Sequence, residues 1–123
     1  MADSADTNEP PALDRLAISC TTVDGVTVVT VSGEIDYHTS GLVGQALTPE
    51  DPATTARTVA DFTGVAFMDS SGINVLIAAH RAHGPAGWLR LAGVRTAVLR
   101  TLEIVGLTDL VDCYPSVSAA MAG

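Results

Sequence analysis

Asp69-Ser70-Ser71-Gly72 is the densest group of reactive side chains in this sequence, and the residues on either side decide how it can be used. Side-chain oxygens of Asp69, Ser70 and Ser71 can each accept from the free N–H groups of a first helical turn, and Ile73, Leu76, Ile77 and His80 then recur at helical spacing. Before them, Val59 to Met68 is an apolar run with β-branched and aromatic residues, suited to a buried strand that can turn at Thr63-Gly64. A hydroxyl is thus held where a strand hands over to a helix N-terminus. Two uses fit it: a helix cap with no further role, or an acceptor for a transferred group. Asn74, one turn after Ser70, faces the same way.

Other reactive residues make weaker cases. Asp36, His38 and Ser70 are the residue types of a hydrolytic triad, but Ser70 does not lie in G-x-S-x-G and His38 has no evident buried acid to orient it. An enzyme is therefore not expected. His80 and His83, at i and i+3, could form half a metal site, yet no second pair has ligand spacing. Cys20 and Cys113 lack C-x-x-C spacing and are expected as small core residues in strands. With no ligand cluster and no glycine-rich phosphate cradle, neither metal nor cofactor is expected.

Phe67-Met68-Asp69-Ser70-Ser71-Gly72 closely resembles the signature of the STAS-domain anti-sigma factor antagonists. Gly33-Glu34-Ile35-Asp36 resembles that family's G-E-[LI]-D loop, and Val94-Arg95 through Leu102, followed by Val105-Gly106-Leu107, resembles its late helix with a Gly-Leu end. The three segments fall in register over roughly residues 13 to 121. The resemblance implies that Ser70 is phosphorylated by a partner that is both a serine kinase and an anti-sigma factor, and that a serine phosphatase reverses this. It leaves Ser71 as the cap. It also implies that Asp36 and Asp69 lie beside the serine and take part in partner binding or phosphorylation; the partner-binding surface is then expected to comprise Asp36, Asp69, Ser71, Gly72 and Asn74. The unphosphorylated chain would capture the kinase and release a sigma factor. The alternative within the same resemblance is a regulatory subunit of a transporter or of a stress-signalling assembly.

Composition agrees with one small regulatory domain. A chain of 123 residues with 47% hydrophobic and 16% charged residues can form a single core. Its net charge of -8 rests on 14 acids against six cations, all of them Arg, which disfavours contact with nucleic acid. Without Lys there is no P-loop. No apolar run approaches the roughly 18 residues of a membrane span, and the acidic N-terminus is unlike a signal peptide, so a cytoplasmic protein with no membrane partner is expected.

The scaffold reads as α/β. Residues 1–12, with Asp3, Asp6, Glu9 and Pro10-Pro11, form an expected disordered leader, and 13–123 the domain. Leu16 to Cys20 and Val26 to Val31 flank Asp24-Gly25 as a hairpin, the second strand ending at Ser32-Gly33. A short helix capped by Thr39 or Ser40 precedes Pro49, and Arg57 to Phe62 is a central strand. Helices are expected over about Ser70–Ala82 and Arg95–Val105, the latter burying Val98, Leu102 and Val105, with strands at Trp88–Ala92 and Val111–Tyr114 and a small terminal helix after Pro115-Ser116. The STAS architecture, a mixed sheet of four to five strands with about four helices, accommodates this order.

Overall fold

Asp24 and Gly25 both take positive φ, 51° and 78°, the geometry of a tight hairpin turn whose twist matches its strands. They join β1 (Leu16–Val23) to β2 (Val26–Ile35) in an antiparallel pair running from Val23↔Val26 to Leu16↔Gly33. The computed structural model describes residues 15–51 and 55–123; the leader expected over 1–12 lies outside the described residues. From β2 the chain alternates through α1 (Ser40–Leu47), β3 (Arg57–Met68), α2 (Ser70–Ala82), β4 (Trp88–Ala92), α3 (Thr96–Ile104), a 3-10 turn (Leu107–Asp109), β5 (Cys113–Tyr114) and α4 (Val117–Ala122). The sheet order is β1-β2-β3-β4-β5, with β2 through β5 parallel. The STAS fold expected from the sequence is therefore present, with five strands and an N-terminal hairpin.

Helices α1, α2 and α3 cover one face of the sheet. Val43 and Leu47 from α1, Ile73, Leu76 and Ala79 from α2, and Val98 and Leu102 from α3 are buried against Val29, Val31, Phe62, Val65 and Leu91. On the other face α4 closes a smaller cluster of Val26, Val59, Ala92 and Ala120, joined by Trp88 and Tyr114. Truncating a fully buried core leucine such as Leu76 would cost about 2–5 kcal/mol.

Several boundaries differ from expectation. Strand β2 continues past Ser32-Gly33 to Ile35, and β3 past Thr63-Gly64 to Met68. Thr63-Gly64 does not turn, because β2 runs alongside and supplies backbone partners; the mismatch is absorbed as two one-residue register shifts, between Thr30 and Ser32 and between Gly33 and Glu34. Gly33 makes this possible at φ +109°, where a side chain would also collide with the Arg15 carbonyl. Strand β5 is only Cys113–Tyr114, since Val111 is drawn into the core. Val105, expected inside, is exposed: α3 stops at Ile104, and Leu107 takes the buried position after the left-handed Gly106. Cys20 is exposed, not a core residue, because it lies on edge strand β1; Cys113 is half-buried.

Candidate functional site

The carboxyl ends of β2 and β3 bring two sequence-distant aspartates together. Ile35 and Met68, the last residues of the two strands, are register partners, and the Asp69 N–H donates to the Ile35 carbonyl at 3.1 Å. Asp36 and Asp69 therefore leave adjacent strands at the same level, in front of α2.

Asp36 is held from two sides. Its Oδ1 accepts from the N–H groups of His38 at 2.8 Å and Thr39 at 3.2 Å, a side-chain turn that leads the chain into α1. Of the two expected caps, Thr39 and Ser40, it is Thr39 that stands at the helix start. Thr39 occupies the N-cap position without a capping bond; it is buried, donating its hydroxyl to the Glu34 carbonyl and accepting from the Asp36 N–H, both at 2.8 Å. The Asp36 Oδ2 accepts from the Arg15 guanidinium, which also lies 3.5 Å from a Glu34 carboxylate oxygen. This hydrogen bond, helped by the backbone N–H groups of His38 and Thr39 and opposed by burial, holds the Asp36 carboxyl below the usual carboxylate range. The same bond raises Arg15.

Arg15 was not among the site residues expected from sequence. Its partner is 21 positions away, and only the pairing of β1 with β2 brings them together. The one available signal was its scarcity, as one of six cations in the chain.

Ser70 is the first residue of α2, exposed, and its hydroxyl makes no hydrogen bond to another described residue. The cap is Asp69, whose Oδ1 accepts from the Ser71 N–H at 2.8 Å; Ser71, assigned the cap from sequence, supplies the donor instead. The extended backbone of Asp69 leaves its carboxylate turned back over the first turn, which decides between two good capping residues two positions apart. Asn74 is exposed one turn further along. Gly72 is buried: a Cβ there would sit 2.6 Å from Met68 Sδ and 3.0 Å from Ile35 Cγ2. It lets α2 begin hard against the ends of β2 and β3, and presents no side chain to a partner.

No hydrolytic triad forms from Asp36, His38 and Ser70, because the Asp36 carboxylate is engaged by Arg15 and by backbone N–H groups, and His38 is exposed with its ring against Tyr37. His80 and His83 do not pair as ligands. His83 is buried at the end of α2, with Nδ1 2.7 Å from the Ala79 carbonyl and Nε2 2.8 Å from the Thr58 hydroxyl. The carbonyl can only accept, so Nδ1 carries the proton in the neutral ring and Nε2 accepts from Thr58. Among the described residues no three His, Cys, Asp or Glu side chains converge on a metal-sized site.

Comparison with known proteins shows the family and the fold. The STAS domain model matches residues 17–120. The anti-sigma F factor antagonist of Paenibacillus polymyxa is 32% identical over 95 residues, covering 73% of this chain and 79% of that protein. An anti-sigma-B factor antagonist of Staphylococcus aureus is 32% identical over 97 residues, covering 78% of this chain and 90% of its own. The crystal structure of an anti-sigma factor antagonist from Mycobacterium paratuberculosis superposes with a TM-score of 0.77 at 28% identity, covering 92% of this chain and 95% of that one. With the family model spanning most of the chain and two of these relatives 32% identical to it, the chain belongs to the STAS-domain anti-sigma factor antagonists.

Proposed function

We propose that this protein is a phosphorylation-controlled binding switch, in which the unmodified chain captures an anti-sigma factor that is also a serine kinase and so frees a sigma factor. The observation that carries the reading is the Ser70 hydroxyl, exposed and unengaged among the described residues at the start of a 13-residue helix, while the carboxylates of Asp69 and Asp36 are committed to backbone and Arg15. Such a hydroxyl can be reached without unfolding. Asp36, Asp69, Ser71 and Asn74 surround it as the partner surface, with Gly72 beneath setting the position of α2.

In the modifying step the kinase transfers the γ-phosphoryl group of its ATP to Ser70 Oγ. The Oγ–P bond forms as the bond to the β-phosphate bridging oxygen breaks, ADP leaves, and the serine proton passes to a base on the kinase. The positive end of α2 favours the added charge locally, so the domain stays folded while its surface changes. A serine phosphatase would restore the hydroxyl by hydrolysis. The protein works without catalysis, metal or cofactor of its own, in the cytoplasm, away from nucleic acid and membranes. Among the described residues no helix is long and apolar enough to cross a membrane.

The test mixes purified protein, an anti-sigma kinase of the same genome and ATP, and maps the modified residue by mass spectrometry. Phosphate on Ser70 with weakened kinase binding is expected; phosphate elsewhere, or equal binding by both forms, overturns the reading.

A further inference from the structure

The chain has five aromatic residues apart from histidine, and their placement is uneven. Phe62 is fully buried in the main core, while Trp88 and Tyr114 pack in the cluster beneath α4. The other two border the site, Tyr37 at 80% exposure in the turn after β2 and Phe67 at 49% near the end of β3. Tyr37 directly follows Asp36. Phe67 comes three residues before Ser70 and is the register partner of Glu34. Because Met68 turns into the core beneath α2, its neighbour Phe67 turns to the opposite face of the sheet. There Glu34 lies across from it, with Arg15 3.5 Å from the Glu34 carboxylate, so polar side chains border an apolar ring.

We infer that Phe67 and Tyr37 are the apolar anchors of the interface with the anti-sigma factor, which extends from the α2 side over the strand ends onto the open face of the sheet at Phe67. The inference rests on the reading of Ser70 as the partner-facing residue. Continuity commits it to that partner, because Tyr37 follows Asp36 and Phe67 precedes Asp69 by two residues at the joined ends of β2 and β3, so a protein contacting Ser70 meets them without a separate surface. Aromatic side chains bordered by polar groups are the residues that most often dominate such interfaces. The exposed aliphatic residues Ile104, Val105 and Leu110 lie where α3 has run back to the amino ends of the parallel strands, away from this site, and serve as the comparison.

The experiment takes the purified anti-sigma kinases of the same genome and selects the one that binds and phosphorylates the wild-type chain. Calorimetry then compares Phe67→Ser, Tyr37→Ser and Leu110→Ser, with thermal midpoints for each and amide exchange of the wild type with and without kinase. Loss of affinity by about ten-fold or more at Phe67 and at Tyr37, little change at Leu110, and new exchange protection across residues 66–68 are expected. Unchanged affinity for both aromatic variants overturns the inference, and so does absence of protection at 66–68. Loss at Tyr37 alone confines the interface to the helix side and overturns the placement of Phe67 in it. If no kinase binds or modifies the wild type, the reading of Ser70 itself fails and the inference falls with it.

Discussion

The Asp69 N–H donates to the Ile35 carbonyl at 3.1 Å, just beyond the register pair formed by Ile35 and Met68. This bond closes the carboxyl end of the sheet between β2 and β3, and it makes neighbours of two acids more than thirty residues apart. Ser70 follows directly, as the first residue of α2.

Ser70→Ala is expected to keep binding the anti-sigma kinase, and Ser70→Asp to bind it more weakly. A unit-charge contact at about 6 Å is worth roughly 1–3 kcal/mol between bulk-water and protein-surface dielectric conditions, so losses from about ten-fold to a few hundred-fold are expected for the phosphorylated form. The aspartate should show the lower part of that range, having one charge where phosphate has nearly two. Titration calorimetry of the three forms checks this, and loss of core amide-exchange protection on phosphorylation would contradict a switch confined to the surface.

Gly72→Val should destabilise the domain by about 1–3 kcal/mol, because the new side chain would overlap Met68 and Ile35, whose positions are set by the strand ends. Urea unfolding would report it. Asn74→Ala, at an exposed position on the same helix, should stay within about 0.5 kcal/mol of the wild type.

The Arg15–Asp36 pair predicts acid sensitivity of a definite sign. Asp36 titrates below its ordinary value in the folded chain, so on acidification the unfolded chain takes up this proton first. The stabilisation is complete above about pH 4 and is lost as pH falls through the lower folded value. Arg15, with Glu34 beside it, the N–H groups of His38 and Thr39 and the Thr39 hydroxyl surround this carboxylate. Arg15→Gln should move the Asp36 titration, followed by carboxyl carbon NMR, up toward the ordinary range; an unmoved titration would remove Arg15 as the cause.

The two cysteines should react unequally. Cys20 is exposed on β1, while burial, reinforced by the charges of Asp112 and Glu103, pushes the Cys113 thiol up and lowers its thiolate fraction. A disulfide reagent at pH 8 should label Cys20 in a fast phase that Cys20→Ser abolishes. Equal rates at both positions would contradict this placement.

The amino-acid sequence by itself determined the order of elements, the Asp24-Gly25 hairpin, α2 over Ser70–Ala82 and β4 over Trp88–Ala92, because turn chemistry, helical spacing and the Gly84 stop act within a few residues of one another. It also placed Ser70 at a strand-to-helix junction. What only the tertiary structure decided depends on neighbours distant in the chain. Thr63-Gly64 carries a local turn signal, yet β2 alongside keeps β3 extended through it as a bulge. Cys20 has strand neighbours like those of a core residue, but its strand forms the edge of the five-stranded sheet. Between Asp69 and Ser71, two good caps two positions apart, backbone direction at the strand end made the choice. Gly72 reads as part of an exposed motif until Met68 and Ile35 are seen to close over it. Arg15 becomes a site residue only through cross-strand pairing, which local composition does not encode; the β1–β2 register places its guanidinium beside Glu34 and Asp36.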